Sequence, residues 1–104
     1  MPLPPSLSAD QRQAALEKAA AVRRQRAELK EKLKLGSLSL QELLQEGASD
    51  EVVGKMKVVS VLESLPGLGK VKARRLMEEV RISETRRIQG LGDQQRRKLV
   101  ERLG

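Results

Sequence analysis

From Ser8 to Leu35 the chain has neither glycine nor proline, and that run restricts its possible folds more than any other feature. The segment is rich in Ala, Leu, Arg, Lys, Glu and Gln, all strong helix formers. Ser8 stands three residues before Gln11, the spacing of a capping box. One long helix over 8–35 follows. Its apolar residues Ala15, Ala19, Val22, Leu29 and Leu33 share a face, but the stripe is thin and contains Arg26. Only Val22, Leu29 and Leu33 are placed to dock, so the N-terminal half is expected to project. Met1 to Leu7, with three prolines, reads as a flexible leader, and 36–104 is left to supply the compact part.

Beyond Gly36 the turn signals come about every ten residues. Ser39 and Glu42 form a second candidate capping box, and Leu38 with Leu43 has the spacing of a hydrophobic staple. A helix from Leu40 to about Glu46, stopped by Gly47, is predicted. Ser49 is placed to cap a single short turn closed by Gly54. Val58, Val61, Leu62 and Leu65 then fall at i, i+3, i+4, i+7, and Ala73, Leu76, Met77 and Val80 repeat that spacing. A last helix is predicted from about Gln94 to Leu103, with Leu99, Val100 and Leu103 as its apolar face. No β-alternation and no internal repeat of 20 to 50 residues is present. The fold class is all-α: a long N-terminal helix followed by a compact core of short helices.

Between the two matched helical segments lies Leu65-Pro66-Gly67-Leu68-Gly69-Lys70-Val71-Lys72, with Arg74 just beyond. Pro66 ends the first helix, while Gly67 and Gly69 can take φ > 0 and have no Cβ to keep another backbone away. The N–H groups of Gly69, Lys70 and Val71 open the next helix, where unpaired donors and the positive dipole end favour a phosphate oxygen. Lys70, Lys72 and Arg74 add full charge. An ordinary helix-helix turn would also use Pro and Gly for geometry alone, so the cations decide the matter.

A second cationic loop is Ile82-Ser83-Glu84-Thr85-Arg86-Arg87-Ile88-Gln89-Gly90-Leu91-Gly92-Asp93-Gln94. Arg86 and Arg87 lie beside its glycines, where guanidinium groups can reach phosphates or enter a minor groove. Arg96, Arg97 and Lys98, on the last helix, read better as a solvated face. Gln89 is able to donate to a base edge or a phosphate, although a loop amide is more often simply solvated.

Charge makes nucleic acid the first candidate partner. Lys and Arg number 21 against 14 Asp and Glu, for a net +7, and residues 8–35 carry eight bases and four acids, net +4 of that excess. A helix merely solvated by i, i+4 pairs such as Glu28 with Lys32 accounts for its charge equally well. The absence of His and Cys excludes zinc fingers and thiol or zinc catalysis, and no metal or cofactor is expected. The absence of Phe, Tyr and Trp removes the stacking platforms of single-strand and RNA-recognition sheets, which favours duplex. No apolar run approaches the ~18 residues of a membrane span and no secretory signal is present, so a cytoplasmic protein without membrane or small-molecule partners is expected.

Several of these stretches together resemble the actinobacterial integration host factor family over essentially the whole chain. They are the Leu3-Pro4-Pro5 leader, the Ala-Ala-Leu-Glu-Lys-Ala-Ala-Ala run at 14–21, Gly54-Lys55-Met56-Lys57-Val58, Leu62-Glu63-Ser64-Leu65-Pro66-Gly67 with Gly69-Lys70-Val71, and Arg86-Arg87 followed by Gly90-Leu91-Gly92. The resemblance implies a helix-two-turns-helix core related to that of ribosomal small-subunit protein thirteen. It also implies a nucleoid-associated monomer that binds duplex DNA largely without sequence preference and bends or loops it, supporting integration, recombination, chromosome organisation and global transcription. Its DNA contacts would fall on Leu65 to Lys72 and on a lid from Ile82 to Gln94. One departure is Gln89, where members often carry a third arginine, which leaves this lid with less charge.

The residues keep two other readings open. A ribosomal-type RNA-binding protein would use the same basic charge and phosphate-cradling turn. An enzyme with Pro2 as amine nucleophile is remote, because a flipped base needs a stacking pocket that a chain without aromatics cannot line, and no Glu stands beside Pro2. No catalytic residue is therefore assigned.

Overall fold

The computed structural model describes residues 8–103; the leader at 1–7, with Pro2, lies outside the described residues. Six helices follow one another: α1 (Ala9–Leu35), α2 (Leu40–Glu46), α3 (Glu51–Gly54), α4 (Val58–Ser64), α5 (Gly69–Val80) and α6 (Asp93–Leu103), with a 3-10 turn at Ile88–Gly90 between the last two. The described residues form no strand, only an isolated antiparallel bridge between Lys57 and Arg87.

The capping box predicted for α1 is present: Gln11 N donates to Ser8 Oγ at 3.2 Å and Ser8 N to Gln11 Oε1 at 3.0 Å. Gly36 ends the helix in the left-handed conformation at φ 78°. At ~1.5 Å per residue the 27 residues of α1 make a rod of about 40 Å, longer than a compact domain of this size is wide. Every residue from Ser8 to Ala19 is exposed, whereas Val22 is half-buried and Leu29 and Leu33 are buried. The projecting half lifts the radius of gyration to 16.6 Å, against about 13 Å for a compact chain of 100 residues. Glu28 and Lys32 form no ion pair, and no ion pair within 4 Å lies on α1 among the described residues.

The second capping box also forms, with Glu42 N donating to Ser39 Oγ at 3.1 Å, and Leu38 and Leu43 are both buried as the staple requires. The next cap is Asp50 rather than Ser49. Asp50 Oδ1 accepts from Val52 N at 2.8 Å and Val53 N at 3.4 Å, while Ser49 Oγ turns back to donate to Glu46 O. A carboxylate at a helix N-terminus is the stronger acceptor, which explains the shift by one residue. Asp50 is also held from α1, since Gln25 Nε2 donates to its Oδ2 at 3.1 Å.

The core is aliphatic. Leu33, Leu43, Val53, Val58, Val61, Leu62, Met77 and Leu99 are fully buried, so α1, α2, α4, α5 and α6 all place leucine, valine or methionine in one cluster. Helices α4 and α5 pack against each other as the arms of a hairpin, α1 lies on α3 and α4, and α6 closes on α2 and α5. Val100 and Leu103, expected on the apolar face of α6, are half-buried beside Leu99.

Candidate nucleic-acid interface

Cations collect at both ends of the α4–α5 pair. At one end α4 stops at Ser64, and Leu65 becomes extended (φ −71°, ψ 140°), as a residue before proline must. Leu65 and Leu68 are half-buried and pack on the core, which pins the turn from beneath. Pro66, Gly67 and Gly69 stay exposed. Gly67 and Gly69 have φ of +77° and +72°, and nothing lies within 4 Å of where a Cβ would stand on either. Their conformation therefore demands glycine, while the empty space on their outer side is open to a molecule from outside.

No side chain caps α5, and the N–H groups of Gly69, Lys70 and Val71 find no acceptor among the described residues. Lys70 and Lys72 are exposed, and among the described residues neither has a carboxylate within 4 Å. The pattern is that of an anion site made by backbone donors with charge beside them. Val71, 71 % exposed, is an apolar side chain on the same first turn. Arg74 is already engaged, with Nη1 3.6 Å from Glu63 Oε1 and Nε 3.1 Å from Glu84 Oε1; it ties the hairpin to the loop after α5. Lys30 and Lys34 of α1 border a groove beside Pro66 and Gly67, cations that sequence reasoning did not attach to this turn. Their i, i+4 spacing on α1 was the available signal.

At the other end, α5 finishes with Arg81 in the left-handed conformation (φ 61°) and the lid begins. Ile82 and Leu91, expected on the lid's DNA face, are instead its anchors, each 5 % exposed, with Ile88 buried between them. Apolar residues at these positions sink into the core and leave Ser83, Arg86, Arg87, Gln89, Gly90, Gly92 and Gln94 on the outside. The loop is clipped to the strand-like segment before α4: Val58 N donates to Arg86 O at 2.9 Å and Ile88 N to Met56 O at 2.9 Å. Arg86 Nη1 donates to Gly90 O at 3.0 Å and Arg87 Nη1 to Lys55 O at 3.2 Å, so each guanidinium spends a donor on the main chain and keeps others for a ligand. Thr85 N donates to Ser83 Oγ, and the two hydroxyls lie 2.8 Å apart, which shapes the turn before Arg86.

Three residues gain roles that sequence reasoning missed. Gly47 has φ −61° and is not a left-handed helix stop; a Cβ there would stand 2.5 Å from Ile88 Cγ2, so glycine is needed for the lid to seat. Gly54 likewise leaves room for Gln89, whose Oε1 would lie 3.2 Å from an added Cβ. Gln89 thus lays its Cβ and amide oxygen over Gly54 while the residue as a whole stays exposed. Gln95 accepts from Gly92 N at 2.9 Å and donates to Arg81 O at 3.0 Å, joining the end of α5 to the start of α6. The spacing of Gly92 and Gln95 is half of a capping box, a signal present in the sequence.

The seven residues of α4 span ~10 Å and the twelve of α5 ~18 Å, which sets the separation of the two cationic surfaces. Arg96 pairs with Asp93 at 2.9 Å and Arg102 with Glu79 of α5, so two of the four cations of α6 are matched by carboxylates, while Arg97 and Lys98 are exposed. Among the described residues no group of acidic side chains, His or Cys is arranged to hold a metal, and no helix is long and apolar enough to cross a membrane.

Comparison with known proteins adds four findings. Residues 33–103 match the family model of the S13-like H2TH domain. The chain is 57 % identical over 100 residues to the integration host factor of Mycobacterium tuberculosis, covering 96 % of this chain and 95 % of that one. It is 54 % identical over 104 residues to the integration host factor of Streptomyces coelicolor, covering 100 % of this chain and 96 % of that one. A solved structure of sIHF bound to an 8bp palindromic DNA superposes with a TM-score of 0.83 at 52 % identity, covering 85 % of this chain and 99 % of that chain.

Proposed function

The chain belongs to the actinobacterial integration host factor family, and from that membership we propose that it is a nucleoid-associated protein of the cytoplasm that binds duplex DNA with little sequence preference. It is a host factor by family and not an enzyme. The observation that carries the reading is the hairpin: two exposed glycines at positive φ, open space on their outer side, and an uncapped helix start beside Lys70 and Lys72, which have no carboxylate partner among the described residues. Backbone donors of this kind select phosphate and carry no base code, so affinity rests on the DNA backbone and its shape. The structural neighbour solved with DNA supports duplex as the ligand.

In this reading residues 36–104 are the DNA-binding core, 8–35 a basic helix braced on it, and 1–7 a leader. The hairpin from Leu65 to Lys72 holds one stretch of backbone, while Arg86 and Arg87, with Ser83, Gln89 and Gln94 beside them, meet phosphates or a minor groove at the other end of the α4–α5 pair. A monomer with two such surfaces either curves one duplex, at an elastic cost of about 1 to 6 kcal/mol offset by the added contacts, or bridges two. Bending or looping in turn suits roles in integration, recombination, chromosome organisation and transcription.

The test is a salt titration with competitors. With about five phosphates engaged, the slope of log K against log salt is expected near −4 to −5 for duplexes of unrelated sequence. A flat response, or stronger competition from structured RNA than from duplex DNA at matched salt, sinks the reading.

A further inference from the structure

Beneath the lid is a second kind of cationic feature, which neither the hairpin nor the exposed arginines account for. A cleft of about 160 Å³ opens between α1, the segment before α4 and the lid, and its wall carries Arg26, Lys30, Lys55, Lys57, Arg87 and Ser60. With Met56 the lining has seven residues, of which five are cations, and no carboxylate among the described residues lines the cleft. Elsewhere the chain interleaves its charges: the groove beside the hairpin that Lys30 also borders contains Glu31 and Glu63. Among the described residues only Lys55 of these cations has a carboxylate partner, Glu51 at 2.7 Å, and Glu51 itself does not line the cleft. Unscreened like charges gathered in a concave site destabilise the fold and focus a positive potential on its centre.

A second observation comes from Arg26. It interrupts the apolar stripe of α1, its Nε is buried, and no hydrogen-bond acceptor meets that atom. Buried guanidinium donors are seldom left orphaned, and an ion that Arg26 meets on binding is one explanation for the exception. The volume limits what that ligand is. Pockets for drug-sized molecules run to about 300–1,000 Å³, so this cleft suits a single tetrahedral oxyanion with its waters.

We infer that the cleft seats one phosphate group of a duplex backbone, held by Arg26 and Lys30 from α1 and by Lys57 and Arg87 from the lid side. The inference rests on the reading of the chain as a duplex-DNA binder and adds the long helix to its contact surface. Helix α1 then braces the lid's DNA as well as the core. Because α1 runs beside α4, from Arg26 near Ser60 to Lys34 near Ser64, Lys30 stands between the two ends of the surface.

The test uses the full chain and three variants. Lys30→Ala/Lys57→Ala removes two cleft cations at exposed positions, Lys32→Ala removes a cation from α1 away from the cleft, and Lys70→Ala/Lys72→Ala weakens the hairpin. Losing one phosphate contact lowers the salt slope by about 0.9, so Lys30→Ala/Lys57→Ala is expected to lose about that much and Lys32→Ala none. The Arg26 Nε–H signal in a proton–nitrogen spectrum is expected to shift on adding duplex. Inorganic phosphate serves as the second probe: a shift with both ions still supports a backbone phosphate, whereas a shift with inorganic phosphate alone overturns the duplex as its source. An unchanged slope for Lys30→Ala/Lys57→Ala, with Lys70→Ala/Lys72→Ala still lowering it, overturns the cleft while leaving the proposed function standing. A flat salt response in the unaltered chain overturns both.

Discussion

The hairpin and the lid sit at opposite ends of the same helix pair and are built on opposite plans. The hairpin offers main chain: Gly67 and Gly69 at positive φ, an uncapped helix start, and two leucines pinning it from below. The lid consumes main chain, using Val58 N–Arg86 O, Ile88 N–Met56 O and the Lys57–Arg87 bridge to fasten itself, and offers side-chain charge. One surface depends on backbone conformation and the other on a rigid clip that aims guanidinium groups. The two should therefore fail differently when mutated.

The largest expected effect is at Gly69. Gly69→Glu puts a negative charge where an anion is expected and forces a side chain into φ +72°. Losing charge-assisted hydrogen bonds worth about 1.5–3 kcal/mol predicts a binding loss of roughly tenfold to 150-fold. Gly69→Ala separates the causes, since it keeps the backbone strain without the charge. A folded Gly69→Glu chain with unchanged affinity removes the hairpin from the interface.

Next in size is the contrast of charge removals. Lys70→Ala/Lys72→Ala is expected to lower the salt slope by about 2 and weaken binding throughout. Arg86→Ala/Arg87→Ala is expected to reduce DNA bending or bridging more than simple binding, because the hairpin still holds its site. Parallel binding, bending and bridging assays decide it. If both variants lose affinity and distortion in the same proportion, the two ends act as one continuous surface, a result that would favour the α1 cleft as the link between them.

The sequence exposed the helices well because their signals are local. Capping boxes at Ser8 and Ser39, the i, i+3, i+4 stripes of α4 and α5, and the Pro-Gly turn each lie within a few residues of one another. The hairpin was legible for the same reason. The lid was only half legible: its arginines were visible, but Ile82 and Leu91 were indistinguishable from surface residues until the core they enter was in place. Gly47 and Gly54 show the same limit. Their sequence signal is that of helix stops, while their role is to admit Ile88 and Gln89, residues some forty positions away. The cleft around Arg26 gathers side chains from three separated segments, so no spacing rule announces it.

That long-range role of Gly47 is itself testable. Gly47→Ala places a methyl 2.5 Å from Ile88 Cγ2, so the lid must shift or the turn must open. Overpacking of this kind costs about 1–3 kcal/mol. For a domain of this size each kcal/mol lowers Tm by about 4–8 °C. DNA bending should fall with the lid's displacement while hairpin binding persists, and a variant with unchanged Tm and bending shows that the lid is not seated on Gly47.

The smallest effect is expected at Glu51. The hydrogen bond and charge of Lys55 hold its carboxyl below the usual carboxylate range. A carboxyl lowered in the folded state adds stability above its unfolded value, near pH 4.3, and loses it as pH falls through the folded value. At neutral pH the pair is therefore intact, and it withholds one cation from the lid end. Both partners are well exposed, so the pair is weak and screened by salt. Glu51→Gln frees Lys55 and removes a negative charge near the cleft, which predicts a gain in duplex affinity of no more than a few-fold and a salt slope that steepens by less than 1. The same change should leave hairpin-directed effects, such as that of Gly69→Glu, unaltered in a double variant. If Glu51→Gln instead shifts the hairpin's contribution, charge is shared along the whole α4–α5 pair and the two plans are not independent.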